Sequence, residues 1–171
     1  MNRRLVLLAA LMVSAIAAGP VEAAGSRGQV LRAVIGQGAG IVNVTPTPTS
    51  TGFSAEIIVN VHGTAPDTTF LIERAPELGR PLGDDGICQR ANELYPWEQP
   101  FSDGFSPVPA FIDANNATLT TDANGDGAAH FAFAVPAIPD GTVFDVQFRL
   151  VDSHTAPTTD LRTGCFTITV K

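Results

Sequence analysis

Residues 53–62 read F-S-A-E-I-I-V-N-V-H, with apolar side chains on every second position. Phe53, Ala55, Ile57, Val59 and Val61 share one parity, Ser54, Glu56, Asn60 and His62 take the other, and Ile58 breaks the alternation. Successive strand side chains point to opposite faces, so the pattern predicts a β-strand with one buried face. Phe131, Phe133 and Val135 alternate in the same way with His130, Ala132 and Ala134. Phe144, Val146, Phe148 and Leu150 alternate with Asp145, Gln147 and Arg149, which are expected to face water. Shorter runs at 30–35, 40–44, 68–73, 117–121 and 165–170 raise the count to about eight. The turn signals G-T-A-P-D, D-A-N-G-D-G, A-I-P-D-G and S-H-T-A-P-T-T separate them. Short strands, Gly and Pro turns and no long helical period predict an all-β protein, an antiparallel β-sandwich of about 7 to 8 strands of immunoglobulin-like type.

Two segments depart from the alternation. T-P-T-P-T-S-T-G, Thr45 to Gly52, reads as a polar connector outside the core. Residues 76–116 form a long insertion, in which Asp84 and Asp85 are placed to cap a short helix through Ile87, Cys88, Ala91 and Leu94, ended by Pro96. The remainder is rich in aromatics and proline. Tyr95, Trp97, Phe101, Phe105 and Phe111, including the chain's single Trp and single Tyr, are interleaved with Pro96, Pro100, Pro107 and Pro109. Prolines stiffen a segment and aromatics give it contact area, so Tyr95, Trp97, Phe101 and Phe105 are the candidate binding residues. The alternative is a loop that buries its own aromatics as a lid.

The first 23 residues read as a signal peptide: Arg3 and Arg4, an apolar run from Leu5 to Ala18, then Val21-Glu22-Ala23 before the cut. A run of fourteen residues, apolar but for Ser14, falls short of the ~20 that span a bilayer, and no later run is longer. The expectation is a single domain over 24–171, secreted, periplasmic or held at the cell surface, with no membrane span in the mature chain. Two of the ten basic and one of the seventeen acidic side chains go with the leader, leaving 8 and 16, a formal charge of −8. That balance argues against nucleic-acid binding, which needs clustered Lys and Arg. Cys88 and Cys165 are the chain's two cysteines, and in an oxidising compartment an even count predicts a disulfide between them. In the final strand Phe166, Ile168 and Val170 share the apolar parity, so Cys165 is expected on the outer side of its sheet.

The candidate chemistry is sparse. Asp122, Asn124 and Asp126 occupy the first, third and fifth places of a calcium loop, but the twelfth place, where a bidentate Glu is needed, is Phe133. N-G and D-G are turn dipeptides, so the stretch reads as a strand-to-strand turn, with metal binding as the weaker alternative. His62, His130 and His154 follow no zinc-ligand spacing, and there is no nucleophile elbow or phosphate loop. No catalytic residue, cofactor or metal is therefore expected.

G-T-A-P-D-T-T-F, then a cysteine, then L-T-T-D-A-N-G-D-G before a strand, resembles bacterial secreted immunoglobulin-like sandwich domains, in which a D-A-N-G turn joins two strands. Among named families the chain is similar to the neocarzinostatin-type apoproteins. That resemblance implies a sandwich with a small apolar ligand in its cleft; the family holds two disulfides, and this chain has cysteines for one. The reading is an exported noncatalytic binding or surface-interaction module. Its partner would be an extracellular protein, a glycan or a small apolar ligand. The alternatives are a carrier of a small apolar ligand and a hydrolase whose site carries no recognised motif.

Overall fold

The computed structural model describes residues 27–92, 106–107, 117–153 and 156–170. The described chain is all-β and antiparallel. Its strands are β1 (Arg27–Ile35), β2 (Ala39–Thr49), β3 (Gly52–His62), β4 (Thr69–Pro76), β5 (Ser106–Pro107), β6 (Thr118–Thr120), β7 (Gly127–Pro136), β8 (Val143–Val151), β9 (Asp160–Arg162) and β10 (Phe166–Thr169). They form one hydrogen-bonded sheet in the order β5-β4-β8-β9-β1-β2-β3-β7, with β10 on β8 and β6 on β4. The sheet curls until β6 approaches β7, so the body is nearly a closed barrel. Among the described residues no helix is long and apolar enough to cross a membrane.

Alternation explains the core. Phe53, Ala55, Ile57, Val59 and Val61 of β3 point inward, and Ile58 lies on the outer side with Glu56, Asn60 and His62. They meet Phe70 and Ile72 of β4, Phe144, Val146, Phe148 and Leu150 of β8, and Phe166 and Ile168 of β10. The rings of Phe53 and Phe144 stand 6.0 Å apart across the interior. Each such side chain contributes about 1.5–3 kcal/mol by leaving water.

Three expectations are corrected. Thr45 to Thr49 is not a connector: it is the second half of β2, paired with β3 as far as Thr49↔Gly52, and Pro46 is buried. Among the described residues β1 pairs with β2 no further than Arg27↔Val44, and proline is tolerated in a strand where no N–H donor is asked for. Among the described residues the helix expected after Asp84 and Asp85 does not form. Residues 77–89 run through turns, and a 3-10 helix covers Arg90–Asn92 alone. Here Asp85 Oδ1 accepts the Ile87 N–H (2.9 Å), and Gly79 and Gly86 adopt φ of 73° and 83°, which a helix cannot use. Finally, Asp145 and Arg149 do not face water; both are fully buried.

Their burial follows from a second layer on the outer side of β4 and β8. Asp145 binds that layer through backbone and side chain. Its N–H donates to Gly83 O (2.6 Å), its carbonyl accepts from Glu77 N–H (2.8 Å), and its carboxylate accepts from Gly86 N–H (2.6 Å) and the Thr167 hydroxyl (2.6 Å). Buried Glu77 braces the same strap, accepting the Arg90 N–H (2.5 Å) and pairing with Arg80 (3.2 Å). The Cys88–Cys165 disulfide rivets the strap beside β10, where Cys88 packs with Ala75 and Ala91. Such a bond is compatible with an oxidising environment.

Beside the strap, Arg149 of β8 pairs with Glu73 of β4, both fully buried. Burial pushes the Arg149 guanidinium down to about 10, and the charge and hydrogen bond of Glu73 oppose that fall. Removing one partner of a buried pair strands the other's charge. Glu73→Gln is therefore expected to reduce unfolding free energy by about 3–5 kcal/mol in denaturant titration, whereas Glu73→Leu combined with Arg149→Met should lose far less. A single-variant loss below about 1 kcal/mol would refute this account of the pair.

Candidate functional site

The seam where the curled sheet nearly meets itself has the geometry of a binding site. At one end β6 fills the seam. It pairs Thr118–Thr120 with β4 at Thr69–Leu71 and sets Leu119 so close to Gly127 of β7 that a Cβ there would lie 2.7 Å from it. Glycine at 127 is what lets the two edges approach. Further along β4 the seam is crossed by side chains instead. Arg74 follows Phe70 and Ile72 on the inward parity, and its guanidinium lies over the Phe133 ring of β7, 4.8 Å from the centroid. A cation over an aromatic face is attracted by the ring quadrupole. Burial, with the nearby Arg90 cation, lowers the Arg74 guanidinium to about 10.

Behind Arg74 lies a cavity of about 80 Å³, walled chiefly by Val44, Phe53, Ala55, Phe133, Phe144 and Phe148. Ala55 is the small residue in an inward series whose neighbours are Phe53 and Ile57, and the space it leaves unfilled helps make the hollow. The wall is apolar apart from Arg74. Pockets for drug-sized ligands run from roughly 300 Å³ upward, so this one takes a single apolar group. It does not take a whole large ligand.

The candidate residues read from sequence distribute as follows. Tyr95, Trp97, Phe101 and Phe105 lie outside the described residues, as do Phe111 and His154. The described chain on either side of Tyr95–Phe105 is anchored at β4. The 3-10 helix of Arg90–Asn92 sits against it, and Ser106 pairs with Arg74 itself. Cys88 and Cys165 form the disulfide. His62 ends β3 on the surface, and His130 pairs with Glu56 (2.7 Å) on the outer side of the sheet.

Asp122, Asn124 and Asp126 sit in a tight turn. Asp122 Oδ1 accepts the N–H groups of Asn124 (2.8 Å) and Asp126 (3.0 Å), and the Asp122 N–H donates to Asp126 O (2.9 Å). Asp126 Oδ1 accepts the Gly63 N–H (3.1 Å), tying the turn to the end of β3, and Gly125 holds φ of 79°. One oxygen of each carboxylate thus accepts backbone N–H groups. Among the described residues no group of three or more His, Cys, Asp or Glu is gathered around one point.

Arg74 and Phe133 are the functional candidates that strand periodicity passed over. Phe133 reads as core, and the strand containing Phe70 and Ile72 reads as ending at Glu73. Carrying its parity one residue further places a charged side chain inside, which is the available signal. Comparison with protein families, curated proteins and solved structures finds no match to this chain.

The turn carries a pH dependence of definite sign. Backbone N–H groups of Asp126 and Asn124 hold the Asp122 carboxyl below the usual aspartate value. At Asp152 burial pulls the other way, but hydrogen bonds from Thr158 and Thr159 outweigh it and the carboxyl is again lowered. Both contributions are fully present above the unfolded value of about 3.9 and are lost as pH falls through the lower folded values. NMR titration should place both carboxyls under about 3.9. Asp122→Asn should flatten the loss of stability in acid; a carboxyl titrating at or above the ordinary value would contradict the turn's hydrogen bonding.

Proposed function

We propose that this protein is an exported, noncatalytic binding module that accepts an apolar group in the seam cavity. The observation that carries the reading is the apolar hollow behind Arg74, at the place where the sheet fails to close on itself. A guanidinium at the mouth of an apolar space suits a ligand that is apolar in its buried part and polar or anionic where it emerges, since a polar group at the rim fixes orientation.

Tyr95, Trp97, Phe101 and Phe105 belong to this proposal as the outer part of the site. The segment that carries them departs from and returns to β4 within a few residues of Arg74. Apolar contact from such residues would extend a cavity too small to bind alone. The carrier of a small apolar ligand is the same reading with the whole ligand enclosed, and the cavity's size favours recognition of a part over carriage of the whole. An immunoglobulin-like kinship is supported by the way β2, β3 and β7 face β4, β8 and β10 across one core, as two layers of a sandwich do.

Benzene and 1-hexanol are suitable probes, each followed by amide NMR shifts in the full chain. Shifts are expected at Ala55, Arg74, Phe133 and Phe144, and Ala55→Leu, which fills the space, should abolish them while leaving the fold intact. No shift, or shifts indifferent to Ala55→Leu, would sink the proposal.

A further inference from the structure

The outer side of the β1–β2–β3 half, remote from the seam, carries exposed aliphatic side chains. Val30 is 52% exposed, Val34 60%, Ile41 37% and Ile58 39%. Val30 stands directly across from Ile41, and Ile58 is diagonal to Ile41, opposite Asn43. All four are β-branched and stiff at χ1, so they present a firm surface at little entropic cost. The neighbouring outer positions Arg32, Asn43, Glu56, Asn60 and His62 are polar. Val30, Ile41 and Ile58 are contiguous, with Val34 set apart beyond Arg32, and an apolar patch with a polar rim marks an interaction surface.

The rim charges say what covers it. Arg32 lies between Val30 and Val34 on the same parity and is opposite Arg162 of β9, a like charge already bound to Asp160 (2.7 Å). Among the described residues no acid pairs with Arg32. At the far corner Glu56 is half exposed, beside His130. Arg32 aligns through Ala39 with His62, and Glu56 lies six residues from His62 on β3. The two charges are thus about 10 Å apart across the strands and about 20 Å along them. Their midpoint falls on β2 between Ile41 and Asn43, in the middle of the apolar patch. A two-fold axis lying in the face and crossing β2 at that point exchanges the two corners. With that axis perpendicular to the Arg32–Glu56 line, Ile41 of one copy comes to lie near Ile58 of the other, between one positive and one negative corner.

We infer that this face packs on the same face of a second copy of the chain, with Arg32 of each protomer against Glu56 of the other and Ile41 close to the axis. An isologous contact of this kind closes at two subunits and covers Ile41 and Ile58 in both. It leaves the seam open, so the dimer stands or falls independently of ligand binding there.

Sedimentation equilibrium of the mature chain from about 1 μM to 1 mM should show reversible dimerisation. Arg32→Glu and Glu56→Arg should each weaken it by at least about tenfold, and the double reversal should return it to within about threefold of the parent. Ile41→Asp should give a monomer. These positions are exposed, and thermal melts by circular dichroism will show that the variants are folded. A chain that stays monomeric throughout, single reversals without effect, or a double reversal no better than the singles would each overturn the inference.

Discussion

The organisation of the molecule depends on β8 being buried on both faces. A curled antiparallel sheet ordinarily needs one covered face, and the inward row of Phe144, Val146, Phe148 and Leu150 meets that need. The opposite row carries Asp145, Gln147 and Arg149, groups that lose hydration when covered and so must find partners inside the protein. Glu73 neutralises Arg149, and Asp145 is met by two backbone groups, one backbone N–H to its carboxylate and one hydroxyl. The strap of residues 77–92 exists in its observed path because those acceptors and donors fix it. The disulfide then holds its end beside β10.

This covering makes the two halves of the barrel unlike. The β4–β8–β10 half carries a polar outer layer, whereas among the described residues the β1–β2–β3 half carries no such layer and shows Val30, Val34, Ile41 and Ile58 on its outside. The same asymmetry shapes the seam. β4 is both the strand on which the strap begins and one edge of the opening, so Glu73 and Ala75 face the strap while Arg74 and Pro76 face the cavity. Adjacent residues on one strand therefore serve the outer layer and the candidate site in turn.

Much of this was legible from local pattern. The inward rows of β3 and β7 and the misplaced Ile58 were readable at single-residue level, because side-chain direction in a strand repeats every two residues whatever the strand pairs with. The turn at Asp122–Gly127 was legible from N-G and D-G, whose glycines meet a backbone requirement that is also local, and its carboxylates serve that turn. With two cysteines in the chain, the bridge followed by counting.

What the tertiary structure decided was everything that depends on who the neighbours are. Asp145 and Arg149 sit on a polar parity, and polarity alone does not distinguish a face in water from a face under a strap. The proline-bearing stretch from Thr45 to Thr49 became strand because its pairing partner, β3, has matching length, a fact about residues 52–56 and not about the prolines. Asp84 and Asp85 have the chemistry of a helix cap, yet glycines and the hydrogen bonds of Asp145, about sixty residues away, bend that backbone into turns. The cavity, last, is a difference between volumes contributed by strands far apart in the chain. Alternation marks which side chains point inward; only the curl of the sheet fixes whether together they fill the space.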